Sequence, residues 1–436
     1  MTVLDRSGAG YQARWWRAVD GSPYSFDSLA VPERVIGELA HGATGRRSIW
    51  RWLDWFPMRS WFASPVTLGE GGTPLVAAPW LEGDVRLKLD QLNPTGSFKD
   101  RGVALVVTAL RAEGCTRLLE DSSGNGGSAL AAYAAAAGLS ARVLVPEGTS
   151  AAKVAATVAY GAEVVIVPGG REATADEALR QVADGRWTYA SHAWHPLFPV
   201  GVATQALEIW RQLGRRAPAT VVVVAGGGSM VLGHALAWRA LHQAGLIGTV
   251  PRLVLVQPAA CAPLVRAWAA GRAEITPGDG VVSPAPGGHA PVGSTAVGHA
   301  SVGSTPVGST PGGRPLTGPW PAGVSPAGPT LAEGTAIARP VRHKEVLAAL
   351  RQLDGVALAT GEDLIVHATR ELAAHGHYIE PTAANALAGW RLAQRRGLID
   401  RSGTSVIVLS GSGHKAADAM RRVFERRPGR DDPSGP

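Results

Sequence analysis

Short β-branched runs alternate with Ala/Leu-rich stretches of helical period along most of this chain, and that alternation limits its folds more than any other feature. Strands are predicted over Thr116–Asp121, Ala141–Pro146, Glu163–Pro168, Thr220–Ala225, Arg252–Gln257 and Ser405–Ser410. The valine-rich runs lack the in–out alternation of a half-exposed strand, so they read as strands covered on both faces. Helices are predicted over Gly127–Ala137, Ser150–Tyr160, Thr174–Ala183 and Ala203–Leu213. Strand, helix, strand at this spacing is the βαβ unit of a parallel sheet. The fold class is therefore α/β, and ligands of such sheets bind beyond the carboxyl ends of the strands. A chain of 436 residues has room for two such domains.

Composition removes several other classes. The two cysteines, Cys115 and Cys261, have no CxxC or Cys/His spacing, which argues against a disulfide framework or a zinc site and fits a reducing, cytoplasmic setting. No uncharged apolar stretch is long enough for a membrane span, and Met1–Trp16 carries Asp5, Arg6 and Arg14 where a signal peptide has an apolar run. The net charge of +7 is scattered rather than clustered, which argues against a nucleic-acid partner. The interval from Thr276 to Pro329 is rich in Gly and Pro and has only Asp279 and Arg314 as charged residues. It repeats Val-Gly-Ser-Thr at Val292, Val302 and Val307, has no apolar period and is expected to be a disordered insert. Residues 427–436 are expected to be a flexible tail.

Three segments carry chemistry, each leading into a helix whose free N–H groups attract anions. Asn93-Pro94-Thr95-Gly96-Ser97-Phe98-Lys99-Asp100-Arg101-Gly102 turns at Pro94 and Gly96, with Ser97 or Asp100 as the expected N-cap. Lys99 then stands near a positive helix end, which should lower its pKa toward that of a reactive amine. Only five lysines exist, at 88, 99, 153, 344 and 415, and Lys415 is the one rival. The second segment, Ser122-Ser123-Gly124-Asn125-Gly126-Gly127-Ser128, follows a predicted strand and offers hydroxyls, an amide and open backbone. The third, Ala225-Gly226-Gly227-Gly228-Ser229, suits a phosphate cradle but lacks the spacing of a Walker or dinucleotide loop. Glu380, before Pro381, reads as a helix-start carboxylate rather than a catalytic acid.

Together these residues resemble the threonine synthase group of pyridoxal-phosphate enzymes, in the tryptophan-synthase-β-like, fold type II class. The resemblance runs in order through Trp50-Arg51, Leu68–Leu75, Asn93–Gly102, Ser122–Asn125, the Gly226 loop and Val256-Gln257. It resumes after the insert at Leu331–Gly334, Glu380–Ala384 and Ser410–Gly413. It implies two domains, each with a central, mostly parallel sheet flanked by helices. On this map residues 1–110 hold an N-terminal extension and the start of the large domain, and 111–204 form a small mobile domain. The large domain continues over 205–275 and 330–426, interrupted by the insert at 276–329. The implied cofactor is pyridoxal 5'-phosphate, with Lys99 as the Schiff-base lysine and proton carrier and Phe98 beside it. Asn125 would meet the phenolic oxygen, Gly226, Gly227, Gly228 and Ser229 the phosphate, and Ser410 the pyridine nitrogen. Ser122, Ser123, Gly126 and His192 would face a small amino-acid substrate. No metal is implied, and a homodimer is.

Departures from that group concern the substrate. Its second anion site comes from an Asn-Ser pair and an Arg in the segment matching His192–Thr204, but here Phe198 stands at the Arg position and Ala203 at that of the usual Lys. Gly126 stands where a Thr is common. His192 and His195 are candidate replacements for the lost donors. The implied activity is elimination or replacement at Cβ or Cγ of a small L-amino acid, as in threonine synthase or a close homologue. The alternative is a serine/threonine dehydratase-like or diaminopropionate-type β-elimination or β-replacement enzyme.

Overall fold

A computed structural model describes residues 2–4, 12–18, 20–26, 29, 48–149, 151–280 and 330–425. The chain opens with a parallel pair, β1 (Thr2–Leu4) and β2 (Tyr24–Phe26). There follow β3 (Leu75–Ala77), β4 (Val85–Lys88) and α1 (Lys99–Ala112). An alternating stretch comes next, with β5 (Arg117–Glu120), α2 (Asn125–Ala137), β6 (Ser140–Pro146), α3 (Ala151–Ala159), β7 (Glu163–Val167), α4 (Arg171–Ala183) and β8 (Thr188–Tyr189). After α5 (Leu197–Gln212) come β9 (Thr220–Val224), α6 (Ser229–Gln243), β10 (Arg252–Pro258) and α7 (Pro263–Ala269). Beyond residue 330 lie α8 (His343–Gln352), β11 (Val356–Thr360), α9 (Glu362–Ala374), α10 (Pro381–Arg395), β12 (Ser405–Val408) and α11 (Ala417–Phe424).

The strands form a six-stranded sheet, ordered β11-β10-β9-β12-β4-β3, and a four-stranded sheet, ordered β7-β6-β5-β8. Every neighbour in both is parallel except the edge pair β3–β4. Every residue of β9 is buried, as its unbroken valine run predicts, and it lies between β10 and β12. At the edge, β7 leaves Ile166 exposed. Sequence reasoning missed β11, whose alanines are poor strand formers and borrow their order from pairing with β10. The expected domain divisions after 110 and after 204 fall inside α1 and α5, so continuous helices join the two sheets.

Most of the insert and the tail lie outside the described residues, but the first residues of the insert do not. Thr276–Gly280 is an ordered turn, contrary to the expected boundary. Arg272 grips the Asp279 carboxylate at 2.7 Å, and that carboxylate also accepts the Thr276 N–H. A paired, buried charge supplies the order that composition alone did not reveal.

α1, α5 and α6 stack so closely that glycine is required at the crossings. A Cβ at Gly201 would lie 2.2 Å from the Arg101 carbonyl oxygen, and one at Gly233 would lie 2.9 Å from the Ala203 nitrogen. Beside these crossings is a buried ionic cluster. Arg101 pairs with Asp90 and Glu208 at 2.8 Å, and Lys88 reaches Glu208 at 2.7 Å. Gln205 donates to Asp90 and bonds to His234, which extends the cluster into α6. Buried charges are tolerated only with such complete pairing. The cluster fixes the height of α1, and therefore of Lys99 at its first residue.

Candidate active site

The carboxyl ends of neighbouring parallel strands deliver the site, as the fold class requires. Ser410 follows β12 and the Gly226 loop follows β9, its neighbour in the larger sheet; Ser122 follows β5 and His192 follows β8, its neighbour in the smaller one. The Asn93–Phe98 turn is pinned across this end. The Phe98 N–H donates to the Ser410 carbonyl at 2.9 Å, Ser97 bridges Gly411, and the Ser412 N–H donates to the Gly96 carbonyl. Gly96 takes φ +82°, the left-handed turn expected of it.

Lys99 begins α1 with its ammonium 4.6 Å above the Phe98 ring and 5.6 Å from that of Phe198. Its pKa is pushed down to about 8, first by desolvation and also by Arg171, while Glu120 and Glu380 pull it up. Burial therefore does the work that the sequence reading gave to the helix end. Neither expected cap closes α1. Phe98 occupies the N-cap, Ser97 Oγ accepts the Lys99 N–H at 3.4 Å, and Asp100 turns back to accept the Thr95 N–H at 2.6 Å. The rival Lys415 is committed elsewhere, donating to the Thr95 carbonyl at 2.8 Å and to Ser128 Oγ at 2.5 Å. The Ser128 hydroxyl accepts from Lys415 and itself donates to the Asn125 carbonyl at 3.3 Å, so it is a structural hydroxyl.

Asn125, first residue of α2, donates to the Glu380 carboxylate at 3.2 Å. Glu380 is the N-cap residue of α10, yet its side chain makes no capping bond. A Cβ at Gly411 would lie 2.2 Å from Glu380 Oε1, so the carboxylate lies over that glycine, inside the site. The carboxylate thus bridges to α2 rather than closing its own helix. Gly226 fits under the Gly334 carbonyl and Thr335, Gly228 takes φ +84°, and α6 begins at Ser229 with no side-chain cap. The first-turn N–H groups of α6 are thus left for an anion.

The remaining substrate candidates gather at the smaller sheet. Ser122 is buried, Ser123 is half-buried, and the space beside Gly126 is filled by the His192 ring, whose Nδ1 would lie 2.8 Å from a Cβ at 126. His192 is buried and its Nδ1 is 3.2 Å from Glu120 Oε2. Sequence reasoning missed Glu120 and Asp121, although two acids closing an otherwise apolar strand are a readable signal. His195 belongs to the core. Its Nε2 is 2.8 Å from the Ala13 carbonyl, its Nδ1 accepts the Leu197 N–H, and burial drives its pKa to about 3. No metal-binding cluster occurs among the described residues.

A family model described as "Pyridoxal-phosphate dependent enzyme" matches residues 66–300. The chain belongs to this pyridoxal-phosphate dependent enzyme family. Threonine synthase of Mycobacterium leprae (strain TN) is 30% identical over 81% of this chain and 85% of that protein. Threonine synthase of Methanocaldococcus jannaschii is 29% identical over 86% and 83%. Among solved structures, a threonine deaminase from T.th. superposes with TM-score 0.58 at 26% identity, over 78% of this chain and 92% of that one. Maize serine racemase, at 19% identity and TM-score 0.58 over 80% and 92%, shares the fold.

The residues present fit the family's cofactor, pyridoxal phosphate. The three glycines carry no side chain of their own, Gly227 having nothing within 4 Å of where a Cβ would stand, and the Ser410 hydroxyl is buried just past the end of a buried strand. As a member of the family, the protein is a pyridoxal-phosphate-dependent lyase of the superfamily that holds the threonine synthases and threonine deaminases. No described helix is long and apolar enough to cross a membrane.

Proposed function

We propose that this chain eliminates or replaces a substituent at Cβ or Cγ of a small L-amino acid, and that the departing group is not a phosphate. Lys99 is the Schiff-base residue in this reading. Asn125 and Ser410 orient the cofactor, Gly226, Gly227, Gly228 and Ser229 hold its phosphate, and Phe98 flanks the lysine. Pyridoxal phosphate, when bound, supplies the electron sink for the pair left at Cα. The Lys99 amine, with its pKa near 8, is partly unprotonated at neutral pH and takes the Cα proton, which it then hands to the departing group. Ser122, Ser123 and the Gly126 N–H at the start of α2 receive the substrate carboxylate.

The observation that carries the choice of leaving group is the position of Phe198. It is fully buried, 5.6 Å from the Lys99 ammonium, where an anion-binding cation would be needed, and Glu120 and Glu380 add negative charge around the lysine. Removing a charge-assisted contact from a phosphate site costs about 1.5–3 kcal/mol. A second reading, threonine formation from O-phospho-L-homoserine, is favoured by Arg171 at the start of α4, whose charge reaches both Lys99 and His192. Assays with O-phospho-L-homoserine, L-serine, L-threonine and L-2,3-diaminopropionate separate the two. The first reading expects 2-oxo acid and ammonia from one of the last three; threonine and inorganic phosphate from the first would transfer the assignment to the second. A homodimer and a cytoplasmic location complete the proposal, supported by the resemblance and by the spacing of the cysteines.

A further inference from the structure

Resting on that reading of the site, we infer that Glu120 holds His192 as a fixed acceptor that selects substrates whose departing group carries a hydrogen-bond donor. Such groups are a hydroxyl or an ammonium; phosphorylated or carboxylated side chains are disfavoured. Glu120 closes β5 fully buried, and both of its oxygens already accept backbone N–H groups, from Asp121 at 3.1 Å and from His192 at 3.1 Å. Burial raises the Glu120 pKa, while these two N–H groups and the nearby Lys99 charge favour its ionised form; as a carboxylate it can only accept, so His192 Nδ1, at 3.2 Å, donates to it. The ring is then the tautomer with a bare lone pair on Nε2.

That nitrogen has no partner among the described residues and is not one of the sealed, unsatisfied atoms of the interior, although His192 is only 7% exposed. It therefore keeps some accessible surface of its own. The ring is held between Gly126, which leaves it room, and Phe198, whose ring centroid is 5.7 Å away. Phe198 also lies 5.6 Å from the Lys99 ammonium, whose charge reaches the His192 ring. The charged groups around the ring are Glu120 and Asp121 from the end of β5, Lys99 from α1 and Arg171 from α4. Tyr189 donates to Asp121 at 2.8 Å, and the Asp121 charge acts on the ring from the same side chain. Burial and the two cations hold the imidazole neutral, well below its usual pKa. A neutral acceptor backed by carboxylates has nothing to offer a phosphate dianion, which also only accepts. A hydroxyl or ammonium fits it.

Two measurements test the pair. In the full-length chain labelled with 15N-histidine, the resonances lost in His192→Asn should report a protonated Nδ1 and a bare Nε2, and Glu120→Gln should disturb that pattern. With the holoenzyme, the preference in kcat/KM for L-serine over O-phospho-L-serine should fall about ten-fold in His192→Asn, the worth of one such hydrogen bond. It should fall in the same direction in Glu120→Gln, where Glu120 acts only by positioning the ring. An Nε2-protonated ring, or an unchanged preference in both variants, overturns the inference. Should the wild type turn over neither substrate, the proposed function fails instead, and the tautomer readout, which needs no turnover, still decides the pair.

Discussion

At the residue scale, the candidate site rests on Lys99, which is half-buried and, among the described residues, neither held in a salt link nor tied to a neighbouring carbonyl. Lys88 and Lys415 are both so occupied. Replacing Lys99→Ala should abolish the visible absorbance of the lysine-bound cofactor and lower turnover by at least about 10²–10⁴-fold, the usual weight of a proton carrier. Phosphate-anchored binding of the cofactor should survive, because the Gly226 cradle is untouched, and equilibrium dialysis checks that. Lys99 was legible from the sequence as the candidate, since five lysines left few alternatives. Glu380 was not, because a carboxylate before a proline looks the same whether it caps its own helix or leans over Gly411. Only the approach of α2, carrying Asn125, gives it a partner away from its own helix.

At the scale of elements, the stacking of α1 on α5 sets the depth of the pocket. A Gly201→Ala methyl would meet a backbone oxygen rather than a side-chain end, so the two helices must separate. That variant should lose about 1–3 kcal/mol of stability, measured by urea unfolding, and its Lys99 should be displaced enough to reduce turnover. Glu208 links β4, α1 and α5 through Lys88 and Arg101. Breaking it with Glu208→Gln leaves two buried cations short of charge and should cost about 3–5 kcal/mol by the same measurement. Neither feature could be read from the sequence. A glycine at a helix crossing and a glycine in a loop look alike, and Lys88 sits in a run that alternates like any edge strand. The strands buried on both faces were legible, because their valine runs leave no other reading.

At the scale of the whole molecule, three buried histidines give the fold a pH dependence. Burial lowers the pKa of His195 and His234 to about 3 and that of His192 well below its usual value. The unfolded chain therefore binds more protons than the folded one below about pH 6.5, and stability falls as the pH drops through that window toward 3. Asp100, raised to about 6 by burial, opposes this, since the folded state then holds the extra proton. Substituting His195→Gln isolates one contribution. Between pH 6 and 4 the variant should show a shallower loss of unfolding free energy than the wild type, by up to about 1.4 kcal/mol per pH unit.

The sequence by itself determined the α/β class, the position of the strands with their glycine-rich exits, and the choice of Lys99 as the candidate reactive lysine. Each of these depends on local order: the period of apolar residues, the conformational freedom of glycine, and the scarcity of amines. The tertiary structure decided what stands opposite that lysine. Phe198 lies far along the chain from Lys99 and comes near it only because α5 packs on α1. Glu120 and His192 meet only because β5 pairs with β8. A charge balance inside a pocket is a sum over groups from many elements, and no single stretch of the chain contains it.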